Sequence, residues 1–337
     1  MTAEKKKLPI FDLHCDMLGY FAYLDKLDPM NADDIGCAIP HMQAGNVKLQ
    51  VLAIFCPPKP GREKPGSKQV DYYHKLLREF DGDIEPLIRA DGSLNLELGS
   101  KTKVVAAVEN ATGFCSERMS LKTGFKNLKK MIADCGKLLY IGFTHWSENR
   151  FGGGNDCHVG LKDDGKRLLD YLDGRKIAVD FAHASDELAH GILTHIDRHN
   201  LDIRVIASHS NFRPVCNHER NLPDELAQEI IRRNGLIGMN FMRPYIDENR
   251  ADTLIDHILY GFKIGAENAL SFGADFFYDK PLVTEENPHR IYHPEHRNAS
   301  KFPVIVEQLR AHLSKKQLEK LCWRNAQQFI QSLWPND

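Results

Sequence analysis

Eight short apolar segments recur along the chain, and longer stretches with helical periodicity separate them. The segments are rich in Val, Ile, Leu and Phe and show little alternation with polar residues, which is typical of parallel strands buried on both faces. They span residues 8–13, 49–55, 104–108, 138–143, 177–181, 203–207, 236–241 and 269–273. Eight buried strands that alternate with helices predict an α/β fold, the (β/α)8 TIM barrel.

The main alternative is a doubly wound open sheet. No glycine fingerprint follows the first predicted strand, which weakens the dinucleotide-binding form of that alternative. The 337 residues are within the range of one α/β barrel, and no linker rich in Pro, Gly or Ser divides them. We therefore expect a single domain over residues 1–337, with residues 1–7 as a disordered tail.

Several gaps between the predicted strands carry helix-end signals. Ser185 precedes two acidic residues as an N-cap, and Ser314 with Gln317 fits a capping box that opens the final amphipathic helix. Two long irregular regions are also visible. Residues 57–70 suggest a surface loop, and residues 276–300 leave the end of the eighth strand, where loops of a barrel shape the substrate pocket.

Composition excludes several classes of protein. The formal charge is −2, so the chain has no basic field of the kind that nucleic acid or anionic lipid requires. No apolar run is long enough to span a membrane, and no secretory signal or lipid-anchor tail is visible. The eight cysteines never form a C-x-x-C pair, which argues against a zinc ribbon or a disulfide scaffold. We expect a cytoplasmic protein with reduced thiols.

Polar residues with metal-ligating side chains stand where six of the eight predicted strands end. In a barrel, these ends meet at one face, so residues far apart in sequence converge on one pocket. On the first strand, His14 and Asp16 share a face because side chains two apart point the same way. The full set is His14, Asp16, Glu109, His145, His183, His209 and Asp275.

The chemistry of this set suits a pair of zinc ions. Three histidines, one aspartate and one glutamate of this set suit two zinc ions, and a carboxylate such as Glu109 can bridge the pair. Asp275 and His145 are then left over for other roles. Two such ions would hold a hydroxide between them and polarise a carbonyl or phosphoryl oxygen. Asp275 would then transfer the proton of that water to a leaving group, and His145 would donate a hydrogen bond to a developing oxyanion.

These motifs resemble the membrane dipeptidase (renal dipeptidase) family of zinc peptidases, peptidase family M19, nearly from end to end. The segment F-D-L-H-C-D is similar to the opening D-x-H-x-D of the family, and V-V-A-A-V-E ends where the family has its bridging glutamate. F-T-H, A-V-D-F-A-H-A-S and V-I-A-S-H-S resemble the family's three histidine motifs, and R-N-L-P-D-E and F-G-A-D-F resemble two further motifs. The resemblance implies a binuclear zinc dipeptidase.

The resemblance also implies a role for each matching residue. His14 and Asp16 would bind one zinc, His183 and His209 the other, and Glu109 would bridge them. His145 would steady the tetrahedral intermediate, and Asp275 would be the proton shuttle. Arg220 would bind the carboxylate at the C-terminal end of a dipeptide substrate, which suits the planar guanidinium group. The resemblance leaves a homodimer as a possible assembly.

The chain departs from the family pattern after the bridging glutamate. The family usually has two glycines and a histidine there, whereas this chain has Asn110, Ala111, Thr112 and Gly113, so the shape of this loop is open. Without a signal or an anchor, the chain looks like a soluble, bacterial-type member. Two alternatives remain: a related metal-dependent amidohydrolase acting on another amide, lactam or ester, and a metal- or peptide-binding protein without turnover.

Overall fold

The computed structural model describes residues 7–57, 63–282 and 291–335. This part of the chain contains one sheet, in which all paired strands run parallel. The strands are β1 (Ile10–Cys15), β2 (Val47–Phe55), β3 (Ile84–Pro86), β4 (Thr102–Glu109), β5 (Leu138–Gly142), β6 (Ala178–Asp180), β7 (Val205–Ile206), β8 (Ile237–Met239) and β9 (Leu270–Phe272).

The sheet curls into a barrel. Its strand order is β7-β6-β5-β4-β2-β1-β9-β8, and β3 pairs with β4 off this path. The two ends of the sheet meet where Ala207, directly after β7, forms a parallel bridge with Ile237 of β8. The Ala207 N–H donates to the carbonyl of Leu236, and the Gly238 N–H donates to the carbonyl of Ala207, both at 2.8 Å. The predicted TIM barrel is confirmed, and the open sheet is not formed.

The eight predicted strands all form, and the eight strands of the barrel path follow one another in the predicted order. The sequence analysis missed β3, which has three residues and ends in Pro86. A strand this short has too few side chains for an apolar pattern to be visible, and proline is rare in strands away from sheet edges. Because β3 lies off the barrel path, its omission did not change the predicted topology.

Helices fill the connections between the strands. They are α1 (Met17–Leu24), α2 (Ile39–Ala44), α3 (Glu63–Glu79), α4 (Leu121–Cys135), α5 (Asp163–Leu172), α6 (Asp186–His199), α7 (Asp224–Arg232), α8 (Arg243–Ile246), α9 (Thr253–Lys263), α10 (Phe302–Leu309), α11 (Lys315–Glu319) and α12 (Asn325–Leu333). The predicted caps are confirmed: the Ser185 hydroxyl accepts the Leu188 N–H, and Ser314 with Gln317 forms a capping box. No helix in the described ranges is long and apolar enough to cross a bilayer.

The prediction of a surface loop over residues 57–70 was wrong for residues 63–70, and residues 58–62 lie outside the described residues. Helix α3 begins at Glu63 and runs to Glu79. Its third residue is Pro65. Proline is compatible with the first turn of a helix, because the N–H that it lacks would have no partner there. Pro65 is therefore consistent with the start of a helix.

The core has two parts. One lies between the strands and the surrounding helices. The other joins strand residues such as Leu13, Val105 and Ala107 to Phe329 and Ile330 of α12. Val105 and Ala107 alternate with Glu109 along β4, so they share its face and point into the barrel. The C-terminal helix therefore covers the interior of the barrel at the end away from Glu109. Burying each of the larger side chains, such as Leu13 or Phe329, contributes about 1.5–3 kcal/mol.

The region after β9 packs more tightly than its sequence suggested. Residues 283–290, including His289, lie outside the described residues. His293 and His296 are buried rather than exposed, and the His293 ring pairs with the Asp247 carbonyl at 2.7 Å. Tyr292 is joined to the segment after β8, since it forms an antiparallel bridge with Met242. The sequence favours an exposed loop rather than a third metal site for the three histidines of this region, and the exposed loop is wrong for His293 and His296.

Candidate metal centre

Four of the predicted site residues occupy the same position relative to a strand. His145, His183, His209 and Asp275 are each the third residue after the last residue of β5, β6, β7 and β9, respectively. Glu109 is the last residue of β4. All of these strands are parallel, so their carboxyl ends meet at one mouth of the barrel. The sequence prediction that these side chains converge is confirmed by their contacts.

The donor atoms fall into groups that share members. One group is His14, Asp16 and Glu109, and another is Glu109, His183 and His209; within each group the donor atoms lie within 4.8 Å of one another. Glu109 belongs to both, with Oε2 3.7 Å from His14 Nε2 and Oε1 2.8 Å from His183 Nε2. The carboxylate of Glu109 thus lies between the two groups.

His14 lies in the acidic half of this centre. Its Nε2 is 3.7 Å from carboxylate oxygens of Asp16, Glu109 and Asp275. Burial opposes a positive charge here, but these carboxylates outweigh it and raise the pKa of His14 to about 10. The surroundings therefore stabilise a cation at this nitrogen. His14 Nε2 and Asp16 Oδ1 are both buried without a hydrogen-bond partner.

His183 and His209 form the nitrogen-rich half. Their Nε2 atoms are 3.0 Å apart, and both rings lie near Glu109 Oε1. Burial lowers the pKa of both histidines well below the usual value, and the positive charge of Arg220 adds to the effect. Neutral imidazole is the form that binds a metal ion.

Asp275 and His145 flank the donor groups. Asp275 Oδ2 accepts a hydrogen bond from Asn240 Nδ2 at 2.9 Å, and burial raises the pKa of Asp275 to about 6. Asp275 also forms a group with His14 and His209, so it lies within reach of one ion position. His145 Nε2 is 3.7 Å from Glu109 Oε1, and burial lowers the pKa of His145 to about 3, which keeps the ring neutral.

Arg220 is a buried cation beside the centre. Its guanidinium donates to Ser210 Oγ at 2.8 Å and to the carbonyl of His209 at 2.9 Å, and it lies 5.6 Å from the ring centroid of Tyr245. Its Nε is buried without a partner. Among the described residues, no carboxylate is within ion-pair distance of this guanidinium. A buried charge without a counter-ion favours an anionic ligand.

Two of the site residues have left-handed backbones. His183 has φ of 66° and Asp275 has φ of 62°, conformations that cost a residue other than glycine about 1–3 kcal/mol. A hydroxyl group donates to the carbonyl of each: Thr144 Oγ1 to His183 at 3.2 Å, and the Tyr292 hydroxyl to Asp275. These bonds hold both side chains in place after their strands have ended.

Comparison of the sequence with profiles of known protein families identifies the family of this chain. The sequence profile of the membrane dipeptidase family, peptidase family M19, matches residues 2–333. The chain belongs to this family. The resemblance inferred from the sequence motifs is therefore confirmed.

One curated relative and two solved structures have low sequence identity to this chain. An uncharacterized protein from the pqqA 5′ region of Klebsiella pneumoniae is 25% identical over 239 residues, which cover 68% of this chain and 82% of that protein. The structure of the dipeptidase AC of family M19 has a TM-score of 0.78 at 18% identity and covers 98% of this chain and 100% of its own. A Rhodobacter sphaeroides metallopeptidase bound to a phosphinate mimic of L-Ala-D-Ala has a TM-score of 0.75, with the same identity and coverage.

The residues of this M19 chain fit zinc as the family cofactor. The donor set consists of imidazole nitrogens and carboxylate oxygens, which zinc prefers. Two of these donor atoms, His14 Nε2 and Asp16 Oδ1, are buried and unpaired, and the cluster stabilises positive charge. Such atoms would be costly to bury unless a cation completed their coordination.

Hydrogen bonds fix the loop after Glu109, where the sequence departs from the family pattern. Asn110 has φ of 77°, and its side-chain oxygen accepts the Thr112 N–H at 3.1 Å and Asn149 Nδ2 at 3.0 Å. Asn149 Nδ2 also donates to the carbonyl of Phe143. In this M19 chain, Asn110 thus ties the residues after Glu109 to the loop that carries His145.

The sequence analysis missed the residues that orient the donors. Tyr140 contacts His14, Asn155 contacts His183, and Ser208 contacts His209. Tyr140 could have been noticed as a polar group within an otherwise apolar strand, and Ser208 precedes a predicted ligand directly. Asn155 gave no sequence signal, because it lies in an irregular segment far from His183 in sequence.

Proposed function

We propose that this protein is a binuclear zinc dipeptidase that hydrolyses the peptide bond of dipeptides. The observation that carries the proposal is the position of Glu109 between two donor groups, with the unpaired cation Arg220 beside them. His14 and Asp16 would hold one ion, His183 and His209 the other, and Glu109 would contact both. When bound, the two ions would supply an activated water and polarise the scissile carbonyl.

Arg220 would select substrates with a free carboxylate. Its guanidinium is held by Ser210 and by the carbonyl of His209, so it lies at a fixed distance from the donor groups. A carboxylate can satisfy the Nε that has no partner within the protein. A fixed distance between this anion site and the reacting carbonyl restricts the substrate to very short peptides.

Asp275 would transfer a proton during the reaction, and His145 would stabilise the negative charge that develops on the substrate carbonyl. Asp275 is close to His14, and Asn240 donates a hydrogen bond to its carboxylate. It would receive the proton of the attacking water and pass it to the leaving amine. The neutral His145 ring, which packs against Phe55 with 4.6 Å between centroids, would donate a hydrogen bond to the oxyanion that develops on the carbonyl.

The test is hydrolysis of a dipeptide panel by the purified protein, before and after metal removal. We expect turnover that a chelator abolishes and that zinc restores. A phosphinate dipeptide mimic, of the kind bound by the Rhodobacter sphaeroides relative, should inhibit. Full activity after complete metal removal would exclude the mechanism. Turnover of lactams, esters or other amides without turnover of any dipeptide would favour the related amidohydrolase.

A further inference from the structure

Tyr140 determines which nitrogen of His14 faces the centre. Its hydroxyl donates to the carbonyl of Leu13 at 3.0 Å and lies 2.7 Å from His14 Nδ1. A hydroxyl has one proton, so Tyr140 must accept from the Nδ1–H of His14. The Nε2 atom, buried and unpaired, is then the nitrogen that faces Asp16 and Glu109.

Ser208 acts on His209 in the same way. Its Oγ donates to Asp180 Oδ2 at 2.5 Å and lies 2.7 Å from His209 Nδ1, so it accepts the Nδ1–H. Asp180 is itself fixed, because its Oδ1 accepts the N–H groups of Ala182 and Ser208. Both Asp180 and Ser208 are buried.

We propose that Tyr140 and the Ser208–Asp180 pair are positioning residues that tune the two metal positions separately, each through the histidine that it fixes. The inference rests on the proposed function only in that it requires two metal positions. His14 forms one donor group with Asp16 and Glu109, and His209 forms another with Glu109 and His183, although the two histidines also share a third group with Asp275. Loss of one hydroxyl therefore frees one imidazole to change tautomer or rotate, and leaves the other held.

The experiment is a zinc titration of metal-depleted protein against a chromophoric competing chelator. We expect Tyr140→Phe and Ser208→Ala each to weaken the binding of one zinc by roughly 10- to 100-fold. Asp180→Asn should weaken the same zinc as Ser208→Ala. Tyr73→Phe and Ser271→Ala are matched controls, since within the described part of the chain their buried hydroxyls bond only to the carbonyls of Val104 and Phe11, respectively. Both should bind zinc as the wild type does.

A crossed design separates a specific effect from a general loss of packing. In a His14→Ala background, Tyr140→Phe should leave the affinity of the remaining zinc within twofold, whereas Ser208→Ala should still weaken it. In a His209→Ala background, the two outcomes should be reversed. Thermal melting of the metal-depleted forms checks that each variant is folded.

The inference is overturned if the variants shift no zinc step by more than twofold, if both act on the same zinc in the crossed backgrounds, or if the wild type does not bind two zinc ions. A wild type that does not bind two zinc ions would also exclude the proposed binuclear function, whereas the other two outcomes leave that function open. Suppose that the protein binds two zinc ions and shows the crossed pattern but hydrolyses no dipeptide. This result would support the positioning role of Tyr140 and Ser208 and contradict the dipeptidase assignment.

Discussion

His14 and His209 stack on each other, with 3.7 Å between their ring centroids and an angle of 28° between their planes. His14 lies on β1 and His209 follows β7, and the two rings share one donor group with Asp275 while each also belongs to a group without the other. Their contact means that the donor groups form one compact centre rather than separate sites. The Glu109 carboxylate lies near both rings.

Asp275→Asn separates proton transfer from metal binding. We expect kcat to fall by at least about 100-fold, because an amide cannot accept the proton of the attacking water. Metal content should remain close to two per chain, as measured by elemental analysis. Glu109→Gln is the matched comparison and should lower the metal content itself. If Asp275→Asn loses a metal ion, Asp275 is a ligand, as its group with His14 and His209 allows.

Arg220→Met tests the anion site. The KM for a dipeptide with a free carboxylate should rise by about 100-fold, since a charge-assisted bond in a buried site is lost. The C-terminal amide of the same dipeptide should be almost unaffected, because it offers no anion. Steady-state kinetics on both compounds measures the difference. An equal rise for acid and amide would show that Arg220 supports the loop rather than the substrate.

Trp146→Ala tests the rim of the pocket. This ring is 43% exposed and lies beside His145 and His183, with centroid distances of 6.1 and 6.4 Å. Exposed aromatic surface next to a site favours contact with an apolar side chain. We expect the KM for dipeptides with aromatic side chains to rise about 5- to 10-fold, and the KM for Gly-Gly to stay unchanged. Leu98→Ala, at a similarly exposed position, is the control.

Tyr292→Phe tests the segment after β9. The Tyr292 hydroxyl donates to the carbonyl of Asp275 and accepts the Phe277 N–H, so it holds the left-handed turn that aims the Asp275 carboxylate. We expect kcat to fall by about 10-fold with metal content unchanged, since a small misplacement of a catalytic group is costly. Tyr73→Phe is again the control. Unaltered kcat would mean that packing alone fixes the turn.

His257 makes the free energy of unfolding depend on pH. Its Nδ1 accepts the Phe212 N–H at 3.2 Å, its Nε2 pairs with the Ile246 carbonyl, and burial lowers its pKa to about 4. The unfolded chain, with a pKa near 6.5, binds the proton first as pH falls. The contribution of His257 to the free energy of unfolding is therefore complete above pH 6.5 and declines towards pH 4, by up to about 3 kcal/mol.

His257→Gln isolates this effect. Glutamine can keep both hydrogen bonds and does not titrate. Denaturant unfolding at pH 7 and at pH 4.5 should show a smaller loss of stability on acidification for the variant than for the wild type. Equal losses in the two proteins would contradict the assignment.

Much of the fold could be predicted because its signals are local. Each strand of the barrel is a short run of apolar residues that must be covered on both faces, and Ser185 and Ser314 mark helix starts by bonds to their own helices. The prediction failed where a local signal is ambiguous or absent. Prolines are compatible with both a loop and the first turn of α3, and β3 has only three residues.

The sequence by itself determined the order of the strands and the residue types at their ends, from His14 to Asp275, because both follow from the linear pattern. Only the tertiary structure decided which nitrogen of each histidine faces the centre, and that His293 and His296 are buried. The reason is that Tyr140 contacts His14, Asn155 contacts His183, and Asp180 holds Ser208, each across a long separation in sequence. These hydrogen bonds depend on distances that exist only once the strands have assembled into the barrel.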